Sequence, residues 1–147
     1  MAHRGDTVLS TIKTLLSTGL SFSSNTYRDR TRLFQSTDLP GLNIEGGEER
    51  LIADYVGGQQ DWELDVSFTL VVSSVNEDHG SLLYGYRTEL HKKLRTDYTL
   101  GLSYVIDILE VGAEALVLGQ TDSDTPIAGQ TLHWKVQYRR STDDPES

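Results

Sequence analysis

The chain has 147 residues, of which 37% are hydrophobic and 24% charged, an ordinary globular composition that suggests a single domain. Its formal net charge of −9 disfavours direct nucleic-acid binding, because proteins that grip phosphates are normally basic. Cysteine is absent, which excludes disulfides and thiolate sites. No apolar run reaches membrane-spanning length, and the first residues lead into no signal-peptide core, so neither a membrane location nor secretion is expected.

An amphipathic helix is predicted at residues 7–18. Asp6 or Thr7 can cap its first amides, and Gly19 can end it. Its apolar residues recur at helical spacing, which favours a helix packed on a sheet: Val8, Leu9, Ile12, Leu15 and Leu16.

Three arginines alternate in the next stretch. Residues 27–33 are compatible with a strand that places Arg28, Arg30 and Arg32 on one face. One interpretation is a solvated edge strand whose charges discourage stray pairing. The other is a positive stripe that contacts an acidic face of a neighbouring subunit.

Residues 42–45 alternate like a short strand, and the glycine pair at Gly46 is expected to break it. Glu48 and Glu49 are adjacent carboxylates, but no His, Ser or metal-type spacing accompanies them, which favours a charged loop over a catalytic pair. Pairing could resume after Glu49, before a second glycine pair. We expect residues 46–60 to be disordered in a free subunit.

The clearest strand is predicted at residues 61–72, where apolar and polar side chains alternate strictly. At 3.4 Å per residue it is roughly 37 Å long, close to the roughly 38 Å diameter of a compact chain of this length. The strand therefore crosses the domain, with one face buried: Trp62, Leu64, Val66, Phe68, Leu70 and Val72.

The second half of the chain contains a helix and two further strands. Turn residues at 73–78 precede a helical stripe formed by Leu83, Tyr86, Leu90 and Leu94. Residues 102–111 are predicted to form a mostly buried strand from which Asp107 points outward, and residues 112–118 either continue it past a bend or form a hairpin. Residues 130–139 alternate again and place His133 on the polar face.

Together these elements predict an α+β fold, with a mainly antiparallel or mixed sheet and two amphipathic helices on one face. Residues 1–147 form one domain, and residues 1–6 and 141–147 are expected to be flexible termini. The four histidines lack ligand spacing, and no nucleophile or glycine-loop motif is present, so no catalytic, cofactor or metal site is predicted. A scaffold or binding module is favoured, with a small hydrolase or ligand-binding domain as the alternative.

The order of motifs resembles the tail terminator (tail completion) proteins of long-tailed bacteriophages. The N-terminal helix, the Leu-Pro-Gly-Leu-Asn-Ile segment at 39–44 and the long strand come first. A helix then ends in Leu-Arg-Thr-Asp-Tyr-Thr-Leu-Gly at 94–101, and the chain closes with residues 126–138. The likeness extends from Val8 to Tyr138, although Leu102 stands where the family often has a second glycine.

This resemblance implies a non-catalytic virion protein at the tail–neck junction, assembled in the host cytoplasm. It implies a homo-hexameric ring that caps the tail tube protein, stops tube growth and meets a neck or head–tail connector protein, and the sheath in a contractile tail. DNA passes through the ring as cargo. For the charged part of the interface between subunits, the candidates are Arg28, Arg30, Arg32, Glu45, Glu48 and Glu49. Another neck role, in head completion or as a connector, is the second hypothesis.

Overall fold

One mixed sheet organises the chain. The computed structural model describes residues 2–147. Its helices and strands, in chain order, are α1 (Arg4–Leu16), β1 (Thr26–Arg28), β2 (Gly41–Tyr55), β3 (Gln59–Ser73), α2 (His79–Thr96), β4 (Val105–Ala113), β5 (Val117–Gln120) and β6 (Pro126–Ser141). No helix in the described part of the chain is both long and apolar enough to cross a membrane.

The strands are ordered β1-β2-β3-β6-β4, and β5 also pairs with β6. Only β1 and β2 are parallel; the other four pairings are antiparallel. Because β4 faces the later part of β6 and β5 faces its start, the two strands form one edge with a bend between them. The α+β prediction is confirmed, and of the two alternatives for residues 112–118 the structure has the continuation past a bend.

Strand β3 lies at the centre, as predicted, and pairs with β6 from Gln59–Ser141 to Ser73–Ile127. Phe68 of β3 meets Trp134 of β6 edge to face, with ring centroids 6.3 Å apart. Most inward side chains of both strands are fully or almost fully buried: Leu64, Val66, Phe68, Leu70, Val72, Leu132, Trp134, Val136 and Tyr138. Trp62, predicted to be buried with them, is only partly buried.

Both helices pack on this apolar face. Helix α1 lies against β1 and β2, whereas α2 lies against β3, β4 and β6, and their buried residues join the same core. The opposite face is polar. Loop residues 29–40 cover its end near Gly41, where the Arg30 amide donates to Asn43 Oδ1 at 3.0 Å. No helix of the described chain packs on the rest of that face.

Helix α1 begins earlier than predicted. The His3 Nδ1 accepts the Gly5 amide at 3.0 Å, so His3 caps the helix rather than Asp6 or Thr7. The helix ends at Leu16, and Gly19 follows in a turn with φ +78°. Residues 4–6, predicted to be part of a flexible end, are therefore helical.

Two strand predictions in the first half were wrong. The strand predicted at 27–33 stops at Arg28, because Asp29 takes a left-handed conformation with φ 57°. Conversely, the glycine pair at Gly46 interrupts the ladder only by a register shift: pairing resumes at Glu49, and residues 46–60 form a hairpin rather than a loop. A Cβ on Gly46 would stand 2.8 Å from Leu9 Cδ1, so this glycine lets α1 approach the sheet.

Strand β4 is less buried than predicted. Val105 and Ile108 face the core, but Ile106, Leu109 and Val111 are exposed. The reason is its position at the sheet edge, where α2 covers one face only. The register of β4 shifts at two places, and that of β2 also shifts at two places.

The C-terminal residues 142–147, predicted to be loose, fold back against the start of the chain. The Arg4 amide donates to the Pro145 carbonyl at 2.9 Å, and the Thr142 amide donates to the Gly58 carbonyl at 2.8 Å. These bonds bring the chain end next to the β2–β3 turn.

Two glycine substitutions should change stability in opposite directions. Gly85 is exposed within α2 and a Cβ there meets nothing within 4 Å, so Gly85→Ala should raise the unfolding free energy by about 1 kcal/mol. A Cβ on Gly41 would collide with the Phe34 ring and stand 2.5 Å from the Asp38 carbonyl oxygen, so Gly41→Ala should lower that free energy by roughly 1–3 kcal/mol. Urea unfolding of both variants measures the two effects, and equal midpoints would contradict this packing.

Candidate interaction surfaces

The three arginines of the predicted stripe lie apart. Arg28 donates to Asp6 of α1 at 2.6 Å. Arg30 donates to Asp38 at 2.8 Å, is only 8% exposed, and stacks on the rings of Tyr27 and Phe34. Arg32 is exposed, and no side chain among residues 2–147 pairs with it. The prediction that the three arginines share one strand face is therefore wrong. A contact between these arginines and a neighbouring subunit stays a prediction.

The three glutamates named with them also have separate partners within the chain. Glu45 accepts from Asn43 Nδ2 at 2.9 Å, and Glu48 pairs with Arg50 at 3.2 Å. Glu49 accepts from the Tyr138 hydroxyl at 3.1 Å. Burial, followed by the nearby Glu49 charge, raises the pKa of Tyr138.

A charge cluster occupies the open polar face, and Arg50 is its centre. Arg50 Nη2 donates to Glu63 at 2.7 Å and to Asp65 at 2.8 Å, and Lys135 lies 3.1 Å from Glu63. The register places Arg50 opposite Glu63 and Asp65 opposite Lys135. With Glu48 included, three carboxylates face two cations, so the cluster carries one net negative charge.

The cluster is ionised at neutral pH. Hydrogen bonds from Arg50 are the largest cause that lowers the pKa of Glu63 and of Asp65. Hydrogen bonds to those two carboxylates in turn raise the pKa of Arg50. Groups held so firmly in their charged forms suit an electrostatic surface better than proton transfer near neutral pH.

A further carboxylate, that of Asp61, lies outside the charge cluster and is nearly buried at one end of this face. It accepts from Arg139 Nε at 2.7 Å and from the Tyr55 hydroxyl at 2.9 Å. The Arg139 hydrogen bond is the largest cause that lowers the pKa of Asp61. This pairing ties the tip of the β2–β3 hairpin to β6.

One arrangement has the residue types of a hydrolase site. Ser67 Oγ lies 3.4 Å from His133 Nδ1, and His133 Nε2 lies 2.7 Å from Glu114. However, Ser67 lies in the middle of β3, paired with β2 on one side and β6 on the other, so the backbone beside it belongs to the sheet ladder and not to a helix N-terminus of the kind that forms an oxyanion hole. None of the three residues lines a main cleft of the described chain.

Two clefts, of about 510 and 520 Å³, are open surface depressions. The first lies beside the chain end and is lined by Arg4, Arg139 and Arg140. The second lies between α1 and β2 and includes Glu49. Within residues 2–147 no three His, Asp or Glu side chains gather closely enough to hold a metal ion.

Sequence reasoning missed two exposed apolar edges. Nine of the thirteen large hydrophobic side chains exposed among residues 2–147 lie on them. The β2 edge is the part of β2 beyond β1, with the following turn, and carries Leu51, Ile52, Tyr55 and Val56. The outer edge formed by β4 and β5 carries Ile106, Leu109, Val111, Val117 and Leu118. The apolar run at 102–111 predicts a buried strand, but the same pattern also fits an edge strand whose outer side chains are exposed.

No protein-family model matches the chain, and no curated protein matches it. Among solved structures, the chain is similar to a protein chain in the virion of a native gene transfer agent particle, with a TM-score of 0.60 and 9% sequence identity. The alignment covers 90% of this chain and 95% of the other. At this identity the likeness concerns the fold, which the two chains share over nearly their whole lengths.

The charge cluster should make the free energy of unfolding depend on pH in the acidic range. A carboxyl whose pKa is lower in the folded state stabilises the fold above its unfolded pKa, and this contribution is lost as the pH falls through the folded pKa. Because the pKa values of Asp61, Glu63 and Asp65 all lie below the ordinary 3.8 of Asp or 4.5 of Glu, the unfolding free energy should decline below about pH 4.5.

In Arg50→Gln this acid-induced decline should be shallower, and stability at pH 7 should be lower, because Glu63 and Asp65 lose their main partner. Urea unfolding between pH 3 and 7 measures both effects. Arg32→Gln is the matched control and should follow the wild-type profile. An unchanged slope in Arg50→Gln would show that the cluster contributes nothing.

Proposed function

We propose that the chain is a virion structural protein, a tail terminator that forms a hexameric ring on the end of a tail tube. The observation that carries the proposal is the fold shared with a chain of an assembled virion particle, over 90% of this chain. The order of motifs from Val8 to Tyr138 points independently to the same class of protein. In this role the chain binds the tube protein on one side and a neck or connector protein on the other, and the sheath in a contractile tail.

The form of the sheet supports a ring. Its two edges differ, since one consists of β1 and the end of β2 and the other of β4 and β5. A contact between two different edges is heterologous, and such contacts close into rings when the rotation permits. The bare polar face, on the side away from the helices, is the natural lining of a wet channel.

Size and charge also fit a channel for DNA. Six spheres of about 38 Å in a closed ring leave a hole of about the same width, whereas duplex DNA is about 20 Å wide. Six chains carry 6 × −9 = −54 charges in total. An acidic lining repels phosphates, so the DNA slides instead of binding.

The mass of the purified protein in solution should show whether six copies form a ring. One chain is 16.4 kDa, so six give 6 × 16.4 = 98.4 kDa. Light scattering over a range of concentrations should detect this species, alone or after addition of purified tail tubes. Purified tubes should acquire the protein at their ends, visible by electron microscopy, and should stop elongating.

Filled heads without tails are the matched control. Binding to such heads but not to tubes would replace the terminator by a head-completion or connector role. If the protein is a monomer that binds neither tubes nor filled heads, the virion proposal has no support, and a ligand-binding domain becomes the favoured alternative.

A further inference from the structure

We propose that copies of this chain join by strand pairing, the β2 edge of one copy against strand β4 of the next. The inference deepens the proposed ring and rests on it for the number of copies. The partner surface is thus a second copy of the same chain, and the contact is between two unlike edges.

Both edges offer unpaired backbone groups. Strand β1 covers β2 only at Leu42, Asn43 and Ile44, so the outer side of β2 from Glu45 to Tyr55 has no strand partner in the described chain. Strand β4 pairs with β6 on one side, and no strand lies on its other side. Such rows of free N–H and C=O groups bind an added strand readily.

The outer edge lacks the charges that usually protect an edge. Residues 105–120 contain no Lys, Arg or Pro. Their three carboxylates are engaged within the chain: Asp107 with Arg95, Glu110 with Arg87 and His91, and Glu114 with His133. On the β2 edge the single cation, Arg50, turns to Glu63 and Asp65. Toward solvent the outer edge is largely apolar, and the β2 edge from Leu51 to Val56 exposes four large apolar side chains beside the carboxylate of Asp54.

The topology fixes the relative direction of the two strands. Each neighbouring pair in the order β2-β3-β6-β4 is antiparallel, so β4 runs antiparallel to β2. In a ring whose axis follows the strands, every copy has the same orientation. Strand β4 of one copy therefore meets β2 of the next as an antiparallel pair, and the sheet continues from copy to copy.

The two edges also match in length and offer enough area. Strand β4 has nine residues, and a contact of that length is about 30 Å long. With a width of about 20 Å it would bury on the order of 1,200 Å² in total, which is the lower end of the range for specific interfaces. Six such contacts in a closed ring reinforce one another, because no contact opens without breaking a second.

Cysteine cross-linking tests the pairing on a clean background, since the chain has no cysteine of its own. Ile52→Cys and Asp54→Cys mark the β2 edge, and Leu109→Cys and Val111→Cys mark the outer edge. When one variant from each edge is mixed and oxidised, at least one of the four mixtures should give a disulfide dimer of 2 × 16.4 = 32.8 kDa. Each variant alone should give none, because like edges do not meet. Val75→Cys mixed with Tyr84→Cys, both exposed away from the edges, is the control and should not link.

Leu109→Lys with Val111→Lys provides the second test. Both side chains are exposed, so the chain should fold as before, while the mass should fall from 98.4 to 16.4 kDa. Tyr84→Lys on α2 should leave the mass unchanged. If the ring forms but none of the four cysteine mixtures gives a disulfide dimer, the edge pairing is overturned, while the terminator role is unaffected. Links without binding to tubes support the pairing and remove the terminator role. If the protein is monomeric and no link forms in any mixture even after tubes are added, the pairing is overturned.

Discussion

The antiparallel pairing of β3 with β6 is the constraint on which the other elements depend. It runs without a register shift through fifteen residue pairs and places Phe68 edge to face with Trp134 at the centre of the core. Because side chains alternate along both strands, this register sends most of the large apolar residues to one face and most of the charge to the other, where Val71 is a buried apolar exception. The helices follow from it, since each buries its apolar stripe on the face that the two strands define.

The same alternation explains why these parts of the fold could be predicted. From Trp62 to Val72 in β3 and from Leu132 to Tyr138 in β6 each inward position is apolar, and a strand buried on one face shows this alternation in its sequence. Where the sequence prediction failed, contacts between distant parts of the chain determined the local structure. The conformation of Asp29 ended a strand that alternation would have continued, and Gly46 serves close packing against Leu9 rather than a turn. The partners of Arg50 depend on strand register, which no single stretch of sequence encodes.

The surface divides into regions of different chemistry. The helices cover one face of the sheet, and the open face carries a network of ionised groups around Arg50. The two lateral edges expose most of the large apolar side chains that reach the surface. An enzyme concentrates its unusual groups in a concave site, whereas here they are spread along the faces and borders of a sheet. That distribution is compatible with the proposed role as a subunit of a larger assembly.

The register shifts in β2 and β4 have a consequence for aggregation. An apolar edge that is straight and regular accepts almost any extended chain and can grow into fibrils. Here β2 departs from regular register between Gly46 and Glu49 and between Leu51 and Ala53, and β4 departs from it at two places as well. Bulges twist an edge and interrupt its row of donors and acceptors. Only a strand with a matching irregularity can pair along the full length of such an edge. In the proposed ring, these irregularities would favour the edge of the neighbouring copy over unrelated extended chains.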